Sequence, residues 1–367
     1  MIAKVWKKCG ALLWMNIIKI PDNFNLKRVA VVILNWNGRN FLKDFIPDVI
    51  EFSSDHSDIY VIDNNSVDDS VYLLQSNFPQ VNIIQLSENF GFAKGYNLGL
   101  KQIDAEYYVI LNSDVKVSEN WISPVINFLD ENTDYAACQP KLLSYSQRDR
   151  FEYAGGAGGF IDKLGYPFCK GRIFNSIEKD IKQYDDYDEI FWATGACMFV
   201  RADVFHKVNG FDEDFFAHME EIDFCWRLKN LGYKIGYCSD SFVFHVGGGS
   251  LPKSSAFKTY LNMRNNLIMV YKNLNTKHIN MIIFRRFLFD FISSLKFLFD
   301  GGFKEFITVP RAHYYFLKHI RKIKAKRNNL PHIEVSRMYK KSIVFEYFIK
   351  KKRYFFQLKR SDFTASS

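Results

Sequence analysis

Tyr107-Tyr108-Val109-Ile110-Leu111-Asn112-Ser113-Asp114 is the stretch from which the fold can be read. Five apolar residues in succession predict a buried strand, and the polar triplet marks where it stops. Open α/β sheets bind their ligands beyond the carboxyl ends of the strands. Asn112 and Asp114 offer a carbonyl oxygen and a carboxylate on one side of a turn. Hard divalent cations take oxygen ligands of that kind. A cation held there would grip a diphosphate, so the first expectation is a nucleotide-sugar site.

Upstream, the runs Val29-Ala30-Val31-Val32-Ile33-Leu34, Asp58-Ile59-Tyr60-Val61-Ile62 and Val81-Asn82-Ile83-Ile84-Gln85-Leu86 predict three more strands. Helical patterns over 41–52, 66–77 and 93–103 separate them. This alternation predicts βαβ units and a parallel sheet. Every strand ends in polar residues: Asn35-Trp36-Asn37, Asp63-Asn64-Asn65, Ser87-Glu88-Asn89 and Asn112-Ser113-Asp114. The four ends would line one cleft. Gly91, Gly95 and Gly99 fall on one helix face and allow close approach to the sheet. The first strand runs into Asn35-Trp36-Asn37-Gly38 without a GxGxxG, which excludes the dinucleotide fingerprint.

Downstream, 144–190 reads as long loops containing Gly155-Gly156-Ala157-Gly158-Gly159 and the acidic run 185–189. Loops of that length in a compact domain are usually functional. A strand broken at Gly195 is expected over 190–200, a helix over 220–231, and short strands at 234–237 and 242–244. His245 and Gly247-Gly248-Gly249 follow, and from about 255 the pattern is helical to the end.

Charge is unevenly spread along the 367 residues. Between 318 and 360 there are fifteen Lys/Arg against two Glu, while the rest carries 34 basic and 38 acidic residues. A basic tail suits an anionic membrane surface, and its interleaved aromatics argue against nucleic acid. The six cysteines show no CxxC pair, so buried thiols in a reducing, cytoplasmic compartment are expected. The uncharged stretch 9–18 lacks a cleavage site and is too short to span a bilayer. The apolar segment 279–300, interrupted by Arg285, Arg286, Asp290 and Lys296, fits either an interfacial helix or a helix packed on the core.

Taken in order, Asn35-Trp36-Asn37, Asp63-Asn64-Asn65-Ser66, Asn89 to Asn97, Asn112-Ser113-Asp114, Trp192-Ala193-Thr194-Gly195-Ala196, Glu220-Glu221-Ile222-Asp223 and His245 resemble glycosyltransferase family 2. The similarity covers roughly 28–274 and is greatest to the bacterial rhamnosyltransferase-like group. It implies a GT-A fold: a mostly parallel, Rossmann-like α/β sheet flanked by helices. It also implies an inverting enzyme, a nucleotide-diphospho-sugar donor and a divalent metal, Mg²⁺ or Mn²⁺. On this resemblance Asn35, Asp63, Asn65, Asn89, Gly91, Lys94, Asn112 and Ser113 bind the donor nucleotide. Asp114 and His245 hold the metal. Glu221 is the general base, with Glu220 as second candidate, and Trp192, Thr194 and Gly195 form the acceptor wall. Two positions depart from the family pattern: Asn112 replaces a frequent Asp, and Glu221 is one methylene longer than the common Asp.

Each residue also has a structural reading. Asp63 could cap the helix expected near Ser66, the acids at 220–223 could favour a helix dipole, and Trp192 could be core. Asp223 and Arg227, four apart, are expected to pair. The layout expected is an N-terminal extension at 1–27, a GT-A domain at 28–274 and a helical, basic, membrane-associating extension at 275–367. The rivals are a catalytically silent membrane scaffold and a sugar nucleotidyltransferase. The nucleotidyltransferase would need a Gly- and Lys/Arg-rich loop after the first strand, which Asn35-Trp36-Asn37-Gly38-Arg39 does not supply. The partners expected are the donor, a saccharide or lipid-linked acceptor, and the inner face of the cell membrane.

Overall fold

The computed structural model describes residues 28–55, 57–247 and 255–365. The expected N-terminal extension, Cys9, Gly248 and Gly249 lie outside them. The chain opens with β1 (Val29–Asn35), α1 (Arg39–Ser53), β2 (Ser57–Asp63), α2 (Ser70–Asn77), β3 (Asn82–Gln85), α3 (Gly91–Leu100) and β4 (Tyr107–Asn112). β1 lies between β2 and β4, parallel to both, and β3 is parallel to β2. The predicted strands and their polar ends are therefore in place.

There follow β5 (Val115–Val117), α4 (Ser123–Glu131), β6 (Tyr135–Ser144), β7 (Gly159–Asp162), β8 (Pro167–Cys169), β9 (Arg172–Ile173) and β10 (Ser176–Ile177). Next come β11 (Asp188–Ile190), β12 (Cys197–Arg201), α5 (Ala202–Lys207), α6 (Glu220–Asn230) and β13 (Lys234–His245). The last part holds α7 (Ala256–Asn273), α8 (Ile279–Phe299), α9 (Phe303–Lys318), α10 (Ile320–Asn328), β14 (Met338–Tyr339) and α11 (Ile343–Phe348). The main sheet runs β11-β13-β6-β12-β4-β1-β2-β3, with β5 on β13. It is parallel from β4 to β3. Beyond β4 it is mixed, because β12 is antiparallel to β4 and β6.

Both faces of this sheet are covered, which is why its strands are apolar throughout rather than alternating. Val29, Val31 and Ile33 pack with Leu42 and Ile46 of α1 and Val125 of α4. Ala30 and Val32 pack on the other side with Ala93 and Tyr96 of α3. The glycine face of α3 rests on the sheet as expected: a Cβ on Gly99 would lie 2.1 Å from Ile62 Cδ1.

Several expectations are corrected. The stretch 144–190 is not only loop: β10-β9-β8-β7-β14 form a second sheet. The strand expected over 190–200 is two strands, β11 on β13 and β12 on β4. The two short strands at 234–244 are one, with a register break between Cys238 and Phe242. The tail is not helical to the end, since β14 pairs in parallel with β7. Nor is the segment after 275 set apart from the body. Tyr339, Ile343 and Phe363 belong to the same core cluster as Ala30, and the Ile343 amide donates to Asp162 Oδ2 at 2.8 Å. The five described cysteines are all buried and free.

Candidate active site

β1 and β2 end in register, Asn35 opposite Asp63, both buried. Asn35 Nδ2 donates to Asp63 Oδ1 at 3.2 Å, and the Ser66 amide donates to Asp63 Oδ2 at 3.0 Å. Asp63 thus holds the turn, yet an ionised carboxylate has acceptor capacity left for a ligand. Asn35 Oδ1 is buried with no hydrogen-bond partner. Such an orphaned acceptor calls for an explanation, and a ligand donor is one. A Cβ on Gly38 would lie 2.4 Å from it, so only glycine leaves that oxygen room.

The next turn is organised by Asn64, not Asn65. Asn64 Nδ2 donates to Asn89 Oδ1 at 2.9 Å and to the Gly91 carbonyl at 3.1 Å, while its Oδ1 accepts the Phe90 amide at 3.0 Å. Asn65 is exposed in left-handed backbone, φ 62°. Asn89 also accepts the Gly91 amide at 2.9 Å, so it shapes the loop. Lys94 Nζ lies 4.0 Å from the Phe90 ring centroid and makes no ion pair among the described residues.

β13 runs antiparallel to β5 with His245 opposite Val115, which delivers the imidazole to Asp114. His245 Nε2 is 3.2 Å from Asp114 Oδ1, and Nδ1 is 3.4 Å from Glu152 Oε2. All three side chains are buried. Burial opposes the imidazolium, but Glu152 and Asp114 outweigh it and push the His245 pKa up to about 10. Glu152 escaped the sequence reading because it lies in an irregular stretch and no spacing marks it.

Among the described residues no three or more His, Cys, Asp or Glu side chains are grouped to hold a metal. Once a cation displaces the proton that the two acids favour on His245, Asp114 and His245 offer one oxygen and one imidazole nitrogen side by side, a donor pair that suits Mn²⁺. Glu152 stands at the other ring nitrogen, where an outer carboxylate orients a ligating imidazole. The pair fits a cation whose remaining ligands come from a diphosphate and water.

α6 opens with Glu220 and Glu221. His218 and Met219 precede it at φ 70° and 72°, two successive strained residues of the kind found at functional sites. Asn265 Nδ2 fastens them by donating to the Ala217 and His218 carbonyls at 2.9 and 2.8 Å. Glu220 Oε2 and Glu221 Oε2 are each buried without a hydrogen-bond partner. Burial pushes the Glu221 pKa up to about 7. Burial and the neighbouring Glu221 push Glu220 well above the carboxylate range. Asp223 has a different role: it pairs with Arg227 at 2.9 Å, as expected, and with Lys272 at 2.7 Å.

The turn at 194–195 links the two acidic groups. The Asn112 amide donates to the Ala196 carbonyl at 3.0 Å, which sets the turn at 194–195 beside the end of β4. A Cβ on Gly195 would lie 3.2 Å from the Phe92 ring and 3.7 Å from Glu221 Cβ. Burial, opposed by Arg172, pushes the Cys169 thiol up to about 12, and Glu152 and Glu221 both add to that rise. Thr194 is buried, and its Oγ1 accepts the Ala196 amide at 3.2 Å, so it builds the turn. Trp192 is core rather than wall. Its indole donates to the Phe160 carbonyl at 2.9 Å and covers Gly159, where a Cβ would lie 2.1 Å from the ring.

Residues 30–208 match the family model described as glycosyl transferase family 2. The low-salt glycan biosynthesis hexosyltransferase Agl10 of Haloferax volcanii is 24% identical over 70% of this chain and 79% of its own length. The rhamnosyltransferase WbbL of Escherichia coli is 24% identical over 59% of this chain and 83% of its own. A crystal structure of GalNAc-T7 with UDP, GalNAc and Mn²⁺ superposes with a TM-score of 0.56 at 14% identity. It covers 90% of this chain and 57% of that one, and the likeness is one of fold, the GT-A fold. With the strand-end turns, the fold and these matches together, residues 30–208 are a glycosyl transferase family 2 domain, and the chain is similar to rhamnosyltransferases of that family.

Proposed function

We propose that this glycosyltransferase moves a sugar with inversion from a nucleoside-diphospho-sugar, dTDP-rhamnose or a UDP-sugar, to a saccharide or lipid-linked saccharide during surface polysaccharide synthesis. The observation that carries the reading is Glu221. Its carboxylate is held near neutrality by burial and stands beside Gly195, next to the strand end that bears Asp114 and His245. A general base works best with a pKa near the operating pH.

Asp63, the free acceptor of Asn35 and the loop carrying Lys94 receive the nucleotide. Asp114 and His245 would hold a divalent cation, Mg²⁺ or Mn²⁺, which supplies charge stabilisation at the departing diphosphate. Glu221 takes the proton of the acceptor hydroxyl as that oxygen attacks the anomeric carbon. The new C–O bond forms as the bond to the diphosphate breaks, and no covalent intermediate is needed. Gly195 leaves room for the acceptor at this wall, and Thr194 keeps the wall in shape. Asn112 supplies a carbonyl where an acid is common, so the site carries one negative charge fewer. The enzyme works at the inner face of the cell membrane, held on its surface.

A thermal-shift screen of UDP-, dTDP- and GDP-sugars with and without Mn²⁺ tests this reading. One donor class is expected to stabilise the protein, and more so with metal. Stabilisation by none of them, with or without metal, would overturn it.

A further inference from the structure

We propose that α8 and the turn after it form a docking face for an anionic lipid bilayer. This deepens the membrane placement given above and does not depend on the donor or the acceptor. Past the buried Ile279 and Ile283 of its first turns, α8 is turned inside out. The residues it buries from there on are polar: Arg286 at 2%, Asp290 at 1% and Ser294 at 0% exposure. The large apolar residues Phe284, Leu288, Phe291 at 54%, Ile292 and Phe299 at 86% face solvent, beside Arg285, Ser293 and Lys296. The exposed positions 284, 288, 291 and 299, with half-buried Leu295 between the last two, repeat every three to four residues and so form one stripe. A helix of a water-soluble surface has the opposite arrangement.

The orientation is latched. Arg286 donates to the Leu164 carbonyl at 2.9 Å and to Asn266, and pairs with Asp290 at 3.3 Å. The Tyr166 hydroxyl donates to Asp290 at 3.2 Å, and His313 stands 3.5 Å from its other oxygen. Rotating the helix to hide the phenylalanines would expose this network's anchors and break it. A buried pair that loses its partners is strongly destabilising. The apolar stripe therefore stays outward.

The charge beside the stripe selects the partner. A groove between α8 and α11 is lined by Lys163, Arg285, Phe289, Lys341 and Phe345. Its one acid, Glu346, is already paired with Lys350 at 2.9 Å and Lys352 at 2.6 Å. Lys163 and Arg285 make no ion pair among the described residues. Apolar residues flanked by unpaired cations match the acyl boundary and anionic headgroups of a bilayer. No helix among the described residues is long and apolar enough to cross a membrane, so the fit is to its surface.

The test is flotation of the full chain with vesicles of phosphatidylcholine and phosphatidylglycerol in equal parts, against phosphatidylcholine alone. The wild type is expected to float with the anionic vesicles and to be released by salt. The triple variant Phe284→Ser/Leu288→Ser/Phe291→Ser is expected to lose about tenfold or more in binding, with its circular dichroism and melting temperature unchanged. Lys163→Glu/Arg285→Glu is expected to weaken anionic binding and flatten its salt dependence, a second readout should the triple variant misfold. The proposal is overturned if the wild type remains with the soluble fraction, or if a folded triple variant floats as the wild type does. It is equally overturned if the wild type is a dimer that the triple variant converts to a monomer without any vesicle binding. Donor stabilisation in the thermal-shift screen is independent of all these outcomes.

Discussion

Glu220 and Glu221 are neighbours with separate roles. Glu221 sits by Gly195 with a pKa near 7 and can take a proton; Glu220 is buried deeper and stays protonated further into the alkaline range. A carboxyl whose folded pKa lies above its unfolded value, here 4.5, leaves the fold at full stability below that value. Stability then declines as pH rises through the folded pKa. Glu220→Gln removes the decline, so its melting temperature should exceed the wild type's at alkaline pH and match it near pH 4. Glu152 acts through His245. Glu152→Gln should weaken Mn²⁺ binding about 10- to 100-fold by calorimetric titration, while donor binding without metal is unchanged. Glu221, Asp114 and His245 were legible because each closes or opens a recognisable element. Glu152 and Asn64 were not, because their importance comes from partners distant in sequence: His245 for the first, Asn89 to Gly91 for the second.

At the scale of elements, α3 links the two halves of the cleft. Gly91 adopts φ 75°, and a Cβ there would lie 2.5 Å from the Phe216 carbonyl, just ahead of the strained turn into α6. The Phe92 amide donates to that same carbonyl at 2.7 Å. Gly91→Ala therefore meets both left-handed strain, about 1–2 kcal/mol, and a backbone clash that moves the turn carrying Glu221. Stability and kcat should fall together, measured by chemical denaturation and initial rates. Strands β1, β2 and β4 were predictable because buried strands of six or seven residues carry an apolar run, and β3, only partly buried, from its Ile83-Ile84 pair. β8, β9, β10 and β14 were not, since strands of two or three residues carry no periodicity. β14 also finds its partner β7 across more than half the distance from there to the end of the chain.

At the scale of the whole molecule, the charge asymmetry is partly resolved inside the fold. Lys322 and Lys326 pair with Asp214 at 2.6 and 2.7 Å, and Arg337 with Asp188 at 2.9 Å, so an acidic body receives part of its basic tail. The tail's composition alone pointed only outward, to a membrane. Because Tyr339 and Phe363 are core residues, a chain ending at 329 should not be a trimmed enzyme. It should lose cooperative thermal unfolding and aggregate, whereas a detachable extension would leave the melting temperature unchanged. The account rests above all on Glu221 facing the donor across the cleft from Asp114 and His245. Its most direct test is acceptor-dependent release of nucleoside diphosphate by wild type and Glu221→Gln, with donor affinity measured in parallel. The variant should bind donor as the wild type does and transfer about 10²- to 10⁴-fold more slowly, and the wild-type rate should rise with pH through about 7. Transfer by Glu221→Gln at the wild-type rate would contradict the account.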